Sequence, residues 1–441
     1  MASDSEIAIE DVRDLDFAVE QLGVPELPSP VRNADFVAPA ARITLCRDAD
    51  AIERFVRGGG RLPAFEKAGP RERIYHDPAW TRVAIVTCGG LCPGINDVIR
   101  SLVNTLYFDY GVDNVFGIRY GFRGLVPAYG LEPVALDPEK VDLIHEHGGS
   151  LLGSSRGSQD VEEMVRTLDR LRINVLFAIG GDGTQRGAAE IAAAARHHNL
   201  PISVIGVPKT IDNDLSFVDR SFGFETAVYA AAPVISCAHA EAKGAHDGIG
   251  LVKLMGRESG FIAAAATLAN SVVNFCLIPE SPFTMDGPGG LLAAIERRLA
   301  MNDHAVIVVA EGAGQDLLQA GGQHDASGNA VLSDIGVYLR DRISAHLRGR
   351  RIDHAIKYID PSYIIRSVPA RGTDAIFCLQ LAGNAVHAAM AGKTGIVVGH
   401  WAEHFVHVPM ALAVRERRKV NLKGQLWQSV LSATQQQRYF A

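Results

Sequence analysis

Residues 175–184 read VLFAIGGDGT, an apolar run that ends in a glycine-rich turn. A continuous apolar run of this kind predicts a strand buried on both faces, as in a parallel sheet covered by helices. Similar runs, each leading into a turn, occupy residues 83–86, 204–207 and 306–309. Stretches with helical spacing, such as residues 161–172, lie between these runs. The alternation predicts a doubly wound α/β fold.

Length and composition limit the classes of protein to which this chain can belong. A chain of 441 residues predicts two or three domains, at about 150 residues each. The formal net charge of -7 argues against nucleic acid as the main partner, because such binding needs clustered Lys and Arg. The acidic N-terminus does not fit a signal peptide, and no apolar run reaches the ~18 residues that predict a membrane span. Six scattered cysteines indicate a reduced, cytoplasmic protein.

The turn at residues 180–184 carries the first chemical signal, since three glycines surround one acid and a hydroxyl follows. Glycines let the backbone approach a polyphosphate, and the N–H groups at a helix start attract its negative charge. Asp182 is placed to hold Mg²⁺, which prefers oxygen ligands and bridges phosphates. The alternative is a tight turn with a capping Asp. NAD kinases and lipid kinases also carry a GGDGT run, so this motif alone does not fix the substrate.

Residues 208–214, PKTIDND, carry the second signal: two carboxylates two residues apart, beside a cation and a hydroxyl. Asp212 and Asp214 can divide labour, one accepting a proton from an alcohol while the other positions a metal, water or the first acid. The alternative is an Asx-rich turn or helix cap without chemistry. Lys209 and the paired acids favour the chemical interpretation.

Eight motifs in a fixed order give a family resemblance. They cover residues 80–430, and the same order and spacing is found in phosphofructokinases. The chain most resembles the long-chain, plant-like ATP-dependent branch, in which a segment also precedes the catalytic core. NAD and lipid kinases are not expected to show the MGR or YIIR segments. The motifs are GGLCPGIN (89–96), GGDGT (180–184), PKTIDND (208–214), FGFETA (222–227), KLMGRESGFIA (253–263), IPES (278–281), AEGAGQ (310–315) and YIDPSYIIR (358–366).

The resemblance implies two sets of site residues for transfer of a phosphoryl group from Mg-ATP to the 1-hydroxyl of fructose 6-phosphate. Asp212 matches the general base, and Asp182 matches the Mg²⁺ ligand. The residues expected around ATP are Gly89, Arg156, Gly157, Gly181, Asp182, Gly183 and Thr184. The residues expected around the sugar phosphate are Thr210, Ile211, Asp212, Met255, Gly256, Arg257, Glu311, Tyr363, Ile364, Ile365 and Arg366.

Two positions bear on the phosphoryl donor. Relatives that use pyrophosphate generally carry Asp where this chain has Gly183, and a carboxylate there would crowd and repel the α-phosphate of ATP. Lys209 is also kept by pyrophosphate enzymes, although their loop usually reads TIDGD and this one reads TIDND. The combination favours ATP, with a pyrophosphate-dependent enzyme as the first alternative. A catalytically silent regulatory subunit that binds sugar phosphates is the alternative from another class.

The resemblance also implies an architecture of two doubly wound three-layer lobes with mainly parallel sheets and the active site in the cleft between them. The expected division is an N-terminal extension (1–78), a larger ATP-binding lobe (79–223 plus 365–420), a smaller sugar-phosphate lobe (224–364) and a C-terminal tail (421–441). A homotetramer is expected from the family, with a dimer as the alternative. Lys357 stands where many relatives place an interface arginine; lysine keeps the charge but loses the planar fork.

Overall fold

A computed structural model of the chain describes residues 15–32, 34–59, 62–318 and 331–440. These residues divide into two compact units. The first unit holds residues 15–223 and Ser367–Arg417, and the second holds Phe224–Arg366 and residues 418–440. The chain therefore enters the second unit after Gly223, returns to the first after Arg366, and ends in the second.

The described residues form strands throughout both units, numbered in chain order. They are β1 (Glu20–Gln21), β2 (Leu27–Pro28), β3 (Arg42–Thr44), β4 (Ala64–Lys67), β5 (Arg73–Ile74), β6 (Val83–Thr87), β7 (Val115–Ile118), β8 (Val134–Leu136), β9 (Val175–Gly180), β10 (Ser203–Pro208), β11 (Gly248–Leu254), β12 (Phe275–Leu277), β13 (His304–Ala310), β14 (Ala355–Ile359), β15 (Lys393–Thr394), β16 (Ile396–Trp401) and β17 (His404–Pro409).

Helices connect most of the longer strands. They are α1 (Ala49–Arg57), α2 (Ile95–Asn104), α3 (Val161–Arg170), α4 (Asp182–His197), α5 (Phe224–Lys243), α6 (Phe261–Ala269), α7 (Leu291–Asn302), α8 (Ile335–Gly349), α9 (Ser362–Arg366), α10 (Thr373–Met390), α11 (Met410–Ala413), α12 (Gln425–Thr434) and α13 (Gln437–Phe440). A π-helical turn, Thr105–Tyr110, continues α2.

The first unit is built on a nine-stranded sheet in the order β3-β4-β17-β16-β10-β9-β6-β7-β8. Its five central strands, from β16 to β7, are parallel, and the strands at both edges are antiparallel. Every residue of β9 is buried, because α2 and α10 cover one face of the sheet while α3 and α4 cover the other. The glycine-rich motif therefore leaves the sheet near its middle.

The second unit has a smaller sheet of four parallel strands in the order β12-β13-β11-β14. Helices α7 and α8 pack on one face through an apolar cluster that includes Ile249, Leu251 and Ile307. Helices α5 and α6 lie on the other face, where Gly250 leaves no room for a side chain because a Cβ would lie 2.6 Å from the carbonyl oxygen of Ala238. Each unit thus has three layers, with a sheet that is parallel at its centre in the first unit and wholly parallel in the second, and the predicted fold class is confirmed.

The described residues before position 79 are part of the first unit. Strands β3 and β4 extend its sheet, while β1 and β2 pair with β15 and β5. A buried ion cluster holds β4 in place: the Glu66 carboxylate lies 2.9 Å from the Arg71 guanidinium and 2.9 Å from Lys393 Nζ, and His407 Nδ1 lies 3.1 Å from it. Two strands of this segment are therefore part of the nine-stranded sheet, and other parts of it pair in short two-stranded sheets.

The C-terminal residues belong to the second unit. The Val420 N–H donates to Glu280 Oε1 at 2.8 Å, and the Cys276 N–H donates to Gln436 Oε1 at 2.8 Å. Trp427 and Val430 are buried on one side of α12. Helix α12 therefore packs on its own chain through these residues. No helix among the described residues combines the length and the apolar character that crossing a membrane requires.

Candidate active site

The glycine-rich turn follows β9 and opens α4. Gly181 is the residue before the helix, and Asp182 is its first residue. A Cβ at Gly180 would lie 2.1 Å from Thr184 Oγ1, so glycine is required there by close packing within the turn. The Gln185 side-chain amide donates to the carbonyl oxygens of Gly180 and Val207, at 2.8 and 3.3 Å, and so joins the ends of β9 and β10. This arrangement leaves a helix N-terminus available to an anion.

Gly183 differs from its neighbours because the protein does not need a glycine at this position. A Cβ built there meets no protein atom within 4 Å, and the backbone is helical. The space beside Gly183 is therefore open. This observation fits the expectation that the missing side chain makes room for a ligand.

Asp182 lies in an ion pair with the arginine one turn later in α4. Arg186 Nε is 3.3 Å from Asp182 Oδ1, and its terminal nitrogen is 3.2 Å from Oδ2. The same guanidinium donates to the Val414 carbonyl at 3.2 Å, which fixes its position. The Asp182 side chain is 22% exposed. Arg186 was not predicted from the sequence. Opposite charges four residues apart on a helix form ion pairs, so the spacing of Asp182 and Arg186 could have indicated this contact.

Three loops meet beside this turn. The Gly89 N–H donates to the Ser155 carbonyl at 2.9 Å, which brings the loop after β6 against the loop that carries Arg156 and Gly157. The Lys209 N–H donates to the Gly180 carbonyl at 3.0 Å, so the loop after β10 lies directly against the glycine-rich turn. The structure thus gathers the residues predicted to surround ATP at one edge of the first unit's sheet.

Lys209 is buried beneath these loops. Its Nζ donates to the Gly90 carbonyl at 2.8 Å, and the residue is 6% exposed. Burial lowers the pKa of Lys209 from its ordinary value. Through this hydrogen bond, Lys209 stabilises the Gly89-Gly90 turn.

The loop at 210–214 is held by side-chain hydrogen bonds on both sides of Asp212. Thr210 Oγ1 donates to Asp214 Oδ1 at 2.5 Å, and the Arg417 guanidinium lies 3.2 Å from Asp214 Oδ2. Asp214 is buried and serves this framework, whereas Asp212 is only partly buried. The two acids thus occupy different environments. Such a difference is needed if one acid accepts a proton and the other positions its neighbours.

Asn213 has a left-handed backbone with φ of 55°. Asparagine and glycine are the residues that adopt this conformation most readily. The Asn213 side chain accepts from the Ser221 N–H at 2.8 Å and donates to the Asp219 carbonyl at 3.1 Å. Asn or Gly at this position therefore follows from the backbone, and neither residue argues for a particular phosphoryl donor.

In the second unit, the loops after β11 and β13 pack on each other. The Glu311 N–H donates to the Leu254 carbonyl and the Gly312 N–H to the Gly256 carbonyl, both at 2.9 Å. A Cβ at Gly312 would lie 1.8 Å from the Arg257 carbonyl oxygen, so the contact depends on glycine. Met255 is buried and serves packing.

Glu311 is an acid held among cations. Burial raises its pKa above the ordinary value, while the nearby charges of Arg257, Lys253 and Arg366 act in the opposite direction and only partly compensate. These groups come from three separate segments of the chain. The structure therefore brings the predicted sugar-phosphate residues 257, 311 and 366 into one electrostatic neighbourhood.

The short helix α9 presents the YIIR segment. Tyr363 and Ile364 are 77% and 69% exposed, whereas the Ile365 side chain is buried. The Arg366 guanidinium stacks over the Tyr363 ring, 4.8 Å from its centre. Any contact that Ile365 makes with a ligand would have to come from its backbone. Lys357, on the edge strand β14, lies 3.8 Å from the Glu241 carboxylate.

A second cluster in this unit was missed by sequence reasoning. Lys253 Nζ lies 2.9 Å from Asp334 Oδ2 and 2.9 Å from Asp360 Oδ2. A lysine inside an otherwise apolar strand was the available signal. Its partners stand 81 and 107 positions further along the chain and could not be found by spacing.

The fold and the site define a phosphate-binding α/β protein with a glycine-rich helix start. A family model for phosphofructokinase matches residues 82–389. The ATP-dependent 6-phosphofructokinase of Borreliella burgdorferi is 48% identical over 435 residues, which are 96% of this chain and 97% of that protein. ATP-dependent 6-phosphofructokinase 7 of Arabidopsis thaliana is 43% identical over 418 residues, 94% of this chain and 86% of that protein. The chain belongs to the phosphofructokinase family.

The fold has solved counterparts. A pyrophosphate-dependent phosphofructokinase from Marinobacter aquaeolei superposes with a TM-score of 0.66 at 21% sequence identity, over 82% of this chain and 92% of that one. At such an identity the likeness concerns the fold, and it carries no information on the donor. The family membership predicted from the eight ordered motifs is confirmed.

Proposed function

We propose that this chain is an ATP-dependent 6-phosphofructokinase, which transfers the γ-phosphoryl group of ATP to the 1-hydroxyl of fructose 6-phosphate. The products are fructose 1,6-bisphosphate and ADP, and this is the committed step of glycolysis. The observation that carries the proposal is the 48% identity, over nearly the whole chain, to a protein named for this activity. The open space at Gly183 and the acid beside it support the choice of ATP.

Asp212 is the proposed general base. Its carboxylate takes the proton of the sugar 1-hydroxyl as the oxygen attacks the γ-phosphorus, and a positioned base of this kind contributes about 10²–10⁴ in rate. The hydrogen bonds of Thr210, Asp214 and Asn213 support the role, because they fix the loop on either side of Asp212. Positioning matters more than covalent chemistry in phosphoryl transfer.

Asp182 is the proposed protein ligand of Mg²⁺. Among the residues that the structure describes, no cluster of three or more His, Cys, Asp or Glu side chains is arranged to hold a metal. One carboxylate at a helix start suits Mg²⁺, which keeps several waters and takes its remaining oxygens from phosphates. When bound, the ion would neutralise charge on the transferring phosphate. Arg186, which is paired with Asp182, must share or release the carboxylate.

The residues of the second unit are proposed to bind fructose 6-phosphate. Arg366, stacked on Tyr363, offers a planar fork suited to the 6-phosphate. Glu311 and the 255–257 segment are assigned to the sugar hydroxyls. The two backbone hydrogen bonds between the loops after β11 and β13 support this assignment, because they hold the MGR and EGAG segments together.

The choice of donor is tested by assaying the purified protein with fructose 6-phosphate and either ATP or pyrophosphate, each with Mg²⁺. We expect turnover with ATP and at most a trace with pyrophosphate. Turnover with pyrophosphate alone would overturn the donor assignment. Failure with both donors, in a protein that still binds fructose 6-phosphate, would favour a regulatory subunit, although Asp182 and Asp212 are both present.

A cytoplasmic, homo-oligomeric protein is proposed, with a tetramer favoured over a dimer. The six cysteines support a reducing compartment, because all are free thiols and five of them are buried. The assembly rests on the family resemblance. Mass measurement in solution at the protein concentration of the assay tests it.

A further inference from the structure

Lys253 is a buried charge in an apolar strand. It lies near the carboxyl end of β11, where every residue is buried, and its side chain is 11% exposed. Strand β11 is flanked by β13 and β14, and it leads directly into Met255 and Arg257. A lysine is costly at such a site unless its charge is paired.

Two carboxylates from distant segments pair with this lysine. Nζ lies 2.9 Å from Asp334 Oδ2 and 2.9 Å from Asp360 Oδ2. Burial alone would lower the pKa of Lys253, but hydrogen bonds to Asp334, Asp360 and Tyr358 outweigh burial and raise the pKa. The ammonium therefore stays charged at neutral pH and pairs with both acids.

Asp360 ties the lysine to the helix that presents the predicted phosphate-binding residues. Its Oδ1 accepts from the Ser362 N–H at 3.1 Å and from the Ser362 hydroxyl at 2.5 Å, while Oδ2 faces Lys253. Helix α9 has only five residues, and helices this short need tertiary anchors. Tyr363 and Arg366 lie in this helix, so its anchor sets their position.

Asp334 ties the same lysine to a second helix. Its Oδ1 accepts from the N–H groups of Gly336 and Val337, at 3.0 and 3.2 Å, and so caps α8. The Tyr358 hydroxyl donates to Oδ1 as well, at 3.0 Å. Lys253 thus sits where β11, the end of β14, the start of α8 and the approach to α9 meet.

We propose that Lys253 is a positioning residue for the sugar-phosphate half of the reaction. Through Asp360 it fixes α9, and with α9 the tyrosine and arginine assigned to the 6-phosphate. The inference rests on the proposed function, because it presumes that α9 faces fructose 6-phosphate. It goes beyond that function by assigning to Lys253 a role that it performs through Asp360 and α9.

The test compares Lys253→Met with Lys253→Arg and with a surface control, Lys243→Met, in the same unit. We expect Lys253→Met to raise the KM for fructose 6-phosphate by about 10- to 100-fold, because a misplacement of about 1 Å can cost that much. The KM for ATP and the kcat at saturating sugar should each change by less than about threefold. Lys253→Arg keeps the charge and should restore most of the sugar affinity, and Lys243→Met should match the wild type.

Asp360→Asn provides a second probe in case Lys253→Met fails to fold with two facing carboxylates. Asparagine can still cap α9, but it loses the charge that pairs with Lys253. The same selective rise in the sugar KM is expected. Equal changes in both KM values, or no change in either variant, would overturn the positioning role. An inactive wild type would instead refute the proposed function, so the two failures are distinguishable.

Discussion

The first unit, proposed to bind ATP, and the second, proposed to bind the sugar phosphate, differ in how their candidate sites are built. In the first unit, the glycine-rich turn consists of backbone and empty space, with a single acid paired to a neighbour four residues away. In the second unit, charged side chains from distant segments crowd around one strand end, with Lys253 between Asp334 and Asp360 and with Glu311 nearby. A polyphosphate brings its own charge and needs room, whereas a sugar phosphate needs a fixed pattern of polar groups.

The two units also differ in the pKa of a buried acid, Glu66 in the first and Glu311 in the second. Glu66 in the first unit is surrounded by Arg71, Lys393 and His407. Burial alone would raise its pKa, but the hydrogen bond of His407 and the charge and hydrogen bond of Lys393 lower the pKa to about 2. Glu311 in the second unit has a raised pKa because of its burial. The first acid therefore stabilises the fold, and the second costs stability at the site.

Among the substitutions that test this contrast between the units, the largest effect is expected from Gly183→Asp, which fills the empty space. The protein should fold normally, because the position is open and an acid in the first turn of α4 suits the helix dipole. The kcat/KM for ATP should fall by about 10²-fold or more, since like charges in contact cost several kcal/mol. Steady-state kinetics against ATP and against fructose 6-phosphate measure the split.

Gly183→Ala is the matched control, since it adds a Cβ without a charge and should stay within a few-fold of the wild type. An unchanged apparent affinity for ATP in Gly183→Asp would refute the idea that the turn works by leaving space.

A smaller effect, on stability alone, is expected from Glu66→Gln. Because the folded pKa of about 2 lies below the ordinary 4.5, the ionised carboxylate stabilises the fold above pH 4.5, and this stabilisation is lost as the pH falls toward 2. The loss at pH 7 should be about 3 kcal/mol and should shrink on acidification. Thermal unfolding of both proteins from pH 7 to pH 3 measures it. Both KM values should stay at the wild-type level at 25 °C, and a constant loss at every pH would contradict the account.

The smallest effect, of opposite sign, is expected from Glu311→Gln. A raised folded pKa means that the ionised Glu311 destabilises the fold at neutral pH and that this cost fades below pH 4.5. The variant should therefore be more stable at pH 7 and should lose its advantage in acid, while the KM for fructose 6-phosphate rises. Differential scanning at the two pH values checks the sign. A melting temperature of Glu311→Gln below that of the wild type at pH 7 would show that ionised Glu311 does not destabilise the fold.

The glycine-rich turn of the first unit could be predicted from the sequence because its parts are contiguous. Residues 180–184 are a strand end, a turn and a helix start in a single run, and a parallel sheet places such runs at one edge. The role of Lys209 was not readable, because its burial under the Gly89-Gly90 turn depends on a loop 119 positions earlier.

The charged cluster of the second unit could not be predicted from the sequence. The fold of this unit brings Lys253, Asp334 and Asp360 together, and nothing in their spacing indicates that they are in contact. The paired strands of the segment before residue 79 were missed for a related reason. Strands β3 and β4 are short, and β17, the strand that pairs with β4 on its other side, lies more than 300 positions later.

The measurement that tests the central claim most directly is single-turnover transfer from ATP to fructose 6-phosphate by Asp212→Ser. With both substrates bound at wild-type affinity, the transfer rate should fall by about 10²–10⁴, because the alcohol would lose the group that accepts its proton. A rate close to that of the wild type would show that another group does this work, and the assignment of the 210–214 loop would be wrong.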